Sequence, residues 1–127
     1  MTTGAKRVAI VVAVAWMVMP ALGGSAIAAD RGRSARAHGA AARAYFKLEK
    51  YREAIGEYEQ AYMDKRDPSY FFEIAECHRL LSSYPEAQRF YRRFLQDAPP
   101  GHPNRASAEA QLATITEMLD QAERDRQ

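Results

Sequence analysis

From about residue 32 onward, apolar residues recur at intervals of three and four, not two. Tyr51, Ala54, Ile55, Tyr58 and Tyr62 fall on one face of a helix with 3.6 residues per turn. Tyr84, Ala87, Tyr91, Phe94 and Leu95 do the same, and Phe71, Ile74, Ala75, His78 and Leu81 form a third stripe. No stretch alternates apolar and polar residues for long enough to suggest a strand. The pattern predicts an all-α fold with five helices, at about 32–48, 51–65, 68–81, 84–97 and 104–125. Small residues (Ala54, Ala75, Ala87) stand among the large ones, so helix axes can approach closely while aromatic rings fill the spaces beside them.

Local signals mark the breaks. Proline and glycine gather at Pro68, Pro85 and the run Pro99-Pro100-Gly101-His102-Pro103. Asp67 before Pro68 predicts a carboxylate N-cap with proline in the first helical position, where a missing amide proton is no loss. Ser83 and Glu86 have the spacing of a capping box, and Asn104 is suited to cap the last helix. Tyr51 has no such cap before it.

One segment occurs twice. YREAIGEYEQA, residues 51–61, returns 33 residues later as YPEAQRFYRRF, residues 84–94, with Tyr, Glu, Ala, Tyr and an apolar residue at the same offsets. Two such helices at a fixed spacing predict a repeated helical hairpin, since a single hairpin leaves an apolar face that a second copy can cover. The last helix has one apolar stripe, Ala108, Leu112, Ile115 and Leu119, and is polar elsewhere. That pattern suits a helix terminating an open stack, or the first half of a third repeat.

These residues give the chain a resemblance to the tetratricopeptide repeat family. The second copy carries the family's pattern as Phe71, Ile74-Ala75, His78, Ala87, Tyr91 and Pro99, and the first as His38, Ala41-Ala42, Tyr45, Ala54, Tyr58 and Pro68. The resemblance implies a right-handed α-α superhelix, with repeats at about 35–66 and 67–99 and a closing helix at about 104–125. It also implies a concave groove, lined by the first helix of each repeat, that takes extended or helical peptide segments. On this chain the groove candidates are Arg36, Arg43 and Lys47 from the first helix, and Ser69, Glu73 and Glu76 from the third. Phe72 and Arg79 flank them, Phe72 as an apolar anchor. The plainer alternative is that Arg43 or Lys47 pairs with Glu76 across adjacent helices. The cluster of Lys and Asn residues with which some family members clamp a terminal carboxylate has no counterpart.

The amino end reads differently. Lys6 and Arg7 precede an apolar run, Val8 to Leu22, and small residues then lead to Asp30. This order predicts a secretory signal peptide over residues 1–29 and a periplasmic or extracellular protein. The alternative is an uncleaved anchor, because the uncharged stretch is long enough to span a bilayer. No cysteine lies near the exit, so lipid modification there is not expected. The whole chain has 18 Lys and Arg against 16 Asp and Glu, and loss of Lys6 and Arg7 leaves sixteen of each. A neutral domain gives no electrostatic case for nucleic acid.

Candidate chemistry adds little. Cys77 is the sole cysteine, so an internal disulfide is impossible, and it reads as a small apolar residue on a helix or a redox thiol. His38, His78 and His102 are scattered, and adjacent Cys77 and His78 point about 100° apart on a helix, too far to share a tetrahedral ion. There is no glycine-rich phosphate loop and no nucleophile with a base beside it. A non-catalytic protein with no cofactor and no metal is expected, binding a protein or peptide. Arg89, Arg92 and Arg93 form a basic patch for an anionic surface, or a plain solvated face, with no exposed aromatic among them. Self-association is the other expectation, through an open side of the first helix covered by Ala35, Ala37, Ala40, Ala41 and Ala42.

Overall fold

The computed structural model describes residues 23–127. They form five helices and, among the described residues, no strand: α1 (Gly23–Lys47), α2 (Tyr51–Asp64), α3 (Ser69–Leu80), α4 (Tyr84–Asp97) and α5 (Arg105–Arg126). Each helix packs chiefly on its neighbours in the chain, giving a row of helical hairpins with α1 and α5 at its ends. The expected signal segment lies largely outside the described residues. None of the helices described is long and apolar enough to cross a membrane.

The 33-residue step governs the backbone as well as the composition. Lys50 (φ −87, ψ 67) and Ser83 (φ −85, ψ 68) have matching dihedral angles at the two hairpin turns. The Lys50 amide donates to the Tyr45 carbonyl at 2.9 Å, and the Ser83 amide to the His78 carbonyl at 2.8 Å. Such six-residue closures end a helix in a Schellman turn and require one residue with positive φ. Glu49 and Ser82 occupy those positions, both at φ 58. Ala42, Ala75 and Ala108, again 33 apart, are all fully buried, so α5 sits as the first helix of a hairpin would.

The helix starts are only partly as expected. The Asp67 carboxylate does accept the Ser69 amide, at 2.9 Å, and Pro68 is already helical. The Ser83 side chain makes no capping bond, so the capping box does not close. Asn104 does not cap either: its own amide donates to His102 Nδ1 at 3.1 Å, and its backbone is helical, not extended. Arg105 secures this corner by donating from Nη1 to the Leu95 and Ala98 carbonyls, at 3.0 and 3.1 Å, satisfying groups that the end of α4 leaves open. The described part of α1 is already helical at Gly23, well before the expected 32, and Ala26, Ala28 and Ala29 in its exposed first turns favour helix.

Two adjoining cores hold the row together. Ala42, Ala54, Tyr58, Ile74 and Cys77 join the first hairpin to α3, with Tyr45, Phe46, Ile55 and Tyr70 packed around them. Phe71, Ala75, Ala87, Tyr91, Phe94, Ala108 and Ile115 join α3, α4 and α5. The alanines between large residues are fully buried, as their spacing requires for close helix approach. Phe90 belongs to both cores as a packed, partly buried ring that stacks on His78 at 5.4 Å. Ala35 and Ala42 are fully buried, contrary to the expectation that they cover an open side of α1. Gly39, at the same level, lets the Tyr70 ring come within 3.6 Å of where a Cβ would stand.

Candidate polar groove

The expected groove residues fall into two groups. On α1, Arg36, Arg43 and Lys47 are exposed and lie on one stripe, at offsets of seven and eleven residues. None of the three has a hydrogen bond or ion pair among the described residues. The Arg36 and Arg43 guanidinium groups fold back over Gly32 and Gly39, lying 3.8 and 3.5 Å from the positions where Cβ atoms would stand. Both cations act on Tyr70, offsetting part of the rise that burial imposes on its hydroxyl.

On α3 the carboxylates divide. Glu76 is held from two sides: Arg79 Nη2 donates to Oε2 at 2.6 Å, and the Tyr91 hydroxyl donates to Oε1. With Glu76 so engaged, it does not pair with Arg43 or Lys47, and the cross-helix bridge expected as the plainer reading is absent. Arg79 likewise serves within the fold, one turn along from its partner. Phe72 is also drawn inward, its ring centroid 6.0 Å from Tyr91 and 5.5 Å from Phe94, so it packs against α4 and is not presented as an anchor.

Glu73 is the exception. Its carboxylate is partly buried and has no hydrogen bond or ion pair among the described residues. Burial pushes its pKa above the usual carboxylate range, the nearby Glu76 charge adds to the rise, and Arg43 opposes it. Sequence reasoning placed Glu73 and Glu76 on the same side of α3, and only the packing distinguishes them.

The other expected site, Arg89, Arg92 and Arg93, borders an open hollow of about 620 Å³ that also touches Phe71 and Phe90. Phe71 is buried and Phe90 half-buried, so no exposed aromatic ring lies among these arginines. Arg93 sits 5.1 Å over Phe71 and pairs with Asp97 at 3.0 Å, and Arg89 sits 5.6 Å from Phe90. Two of the three cations are thus engaged within the fold. Sequence patterning missed Phe90 because it lies beside the main stripe of α4, three residues after Ala87.

The remaining reactive groups are packed away. Cys77 is fully buried, and burial, with Glu73 and Glu76 nearby, pushes its thiol from 9.0 up to about 12. It packs into the first core, whereas its neighbour His78 faces Phe90, so the two point apart. His78 Nδ1 is buried without a partner among the described residues, and burial lowers its pKa, favouring the neutral ring. Among the described residues, no three His, Cys, Asp or Glu side chains converge as metal ligands would. The fold and site define a class: an all-α stack of helical hairpins with a charged face along α1 and α3. The sequence matches no protein-family model and no curated protein.

Proposed function

We propose that this chain is an exported, non-catalytic interaction module of the tetratricopeptide type, which holds a peptide or protein segment along α1 and α3. One observation carries the reading: three cations on one stripe of α1 are unpaired among the described residues, and one of them, Arg43, acts on the partly buried, likewise unpaired carboxylate of Glu73. A carboxylate with a raised pKa costs the folded protein stability at neutral pH, and such groups cluster at sites of function. The bound segment would offer acidic side chains to Arg36, Arg43 and Lys47, and an amide or ammonium donor to Glu73. The paired Glu76 and Arg79 hold α3 against α4 and keep that wall of the groove rigid.

Crosslinking in the exported fraction tests this, with wild type compared against Arg43→Glu and Glu73→Gln. A partner retained by wild type and reduced by about tenfold or more in both variants supports the groove. Glu73→Gln also separates function from structure, since a binding acid loses its partner while stability holds or rises. Equal capture by all three proteins, or none above background, removes the proposal. Export has its own readout: protein from that fraction lacks tryptophan fluorescence if residues 1–29 are removed, because Trp16 is the only tryptophan.

A further inference from the structure

The two ends of the helical row have opposite charge. The α1 helix carries five cations and one acid, and Arg36, Arg43 and Lys47 are unpaired among the described residues. The α5 helix carries five acids and three cations; Glu117 and Asp120 are exposed and likewise unpaired. Among the described residues, neither end is covered by another element. On α5, exposed Ala113 shares one stripe with Glu109, Glu117 and Asp120, at offsets of four and seven residues. On α1 the face turned away from α2 and α3 is formed by Ala37, Ala40 and Ala44, all exposed.

We propose that these ends bind each other between molecules, the α1 face of one copy docking head to tail on the outer face of α5 of the next. The α5 helix holds the place of a hairpin's first helix, with Ala108 buried 33 residues after Ala75. Its outer face is therefore where a continuing stack would add the next element, and about three repeats are usually needed for a stable array. The second copy supplies that element, and its basic α1 matches the acids of α5 in sign. A contact between two different faces is heterologous, so it grows into open chains or rings and does not stop at a symmetric pair. This contact draws on the same α1 cations as the groove, so a second copy and a bound segment compete for that face, whereas the α5 acids serve only the contact between copies.

Sedimentation velocity of the purified protein over a dilution series tests the contact. Wild type is expected to form dimers and larger species in about 0.1 M salt and to lose them near 1 M, where the screening length falls from about 10 Å to about 3 Å. Ala40→Glu puts an acid against the acids of α5, and Ala113→Lys puts a cation against the basic α1. Each variant alone should be monomeric with unchanged helicity by circular dichroism, and an equimolar mixture should associate again. A wild type that stays monomeric at high concentration overturns the proposal. So does association lost in Ala40→Glu but kept in Ala113→Lys, which would mean two α1 faces meeting symmetrically. Single variants that both block association without recovery on mixing also overturn it.

Discussion

Tyr91 separates the packing and polar contributions of a single side chain. It is fully buried, its ring touches Phe72, and its hydroxyl donates to Glu76. Tyr91→Phe keeps the ring and removes only the hydroxyl. Glu76 then retains Arg79 and, with its side chain 17% exposed, some access to water. Losing one of two charge-assisted bonds under those conditions should cost about 1–2 kcal/mol. For a domain of this size that lowers Tm by roughly 4–15 °C. Tyr91→Ala also removes the ring from between α3 and α4 and should cost about 3–5 kcal/mol, enough to unfold much of a domain of ordinary stability. Urea denaturation followed by far-ultraviolet circular dichroism measures both, and an unchanged m-value licenses the comparison. A double-mutant cycle of Tyr91→Phe with Glu76→Gln should show coupling of about 0.5 kcal/mol or more. No cost for Tyr91→Phe together with zero coupling would mean that the hydroxyl does not hold Glu76. Equal costs for Phe and Ala would mean that ring packing is not what joins these helices.

Alkaline pH should also weaken the fold. Burial lifts the Tyr58 and Tyr91 hydroxyls above the ordinary tyrosine range, helped by the Glu73 charge at Tyr58 and the Glu76 hydrogen bond at Tyr91. Groups with raised folded pKa values give stability that is complete below their unfolded pKa, here about 10, and is lost as pH rises beyond it. A Tm flat up to about pH 8.5, declining above it as the unfolded Cys77 thiol ionises and more steeply above about pH 10, is expected; a Tm unchanged to about pH 11.5 would contradict it. The Cys77 thiol should ignore a thiol-specific dye in native protein at pH 8 and react fully in urea, and rapid labelling without denaturant would place it at the surface. Gly56, exposed within α2 with nothing near the site of an added Cβ, should accept alanine with a gain of about 0.5–1 kcal/mol, and a loss in the same urea assay would be inconsistent with the helix as described.

The sequence by itself determined the helices and their inner faces. A spacing of three and four admits one periodicity, and alanines set among aromatics at equal offsets admit close packing with little else. Ala54, Ala75 and Ala87 are buried for that reason, and the 33-residue step visible in composition returns in the turn dihedrals. The helix caps were less legible, because whether Ser83 or Asn104 bends back to the backbone depends on competition with nearby donors and acceptors. At the last corner, His102 and Arg105 made the local polar contacts. Only the tertiary structure decided the polar site. Glu73 and Glu76 lie one turn apart and read alike, yet the approach of α4 puts the Tyr91 hydroxyl on Glu76 and, among the described residues, leaves Glu73 without a partner. The same approach pulls Phe72 toward Phe94 and away from its expected place as an apolar anchor. Periodicity tells which side of a helix faces inward, but the partner of an edge residue is set by the angle and distance at which a second helix crosses, and that information lies in no single segment.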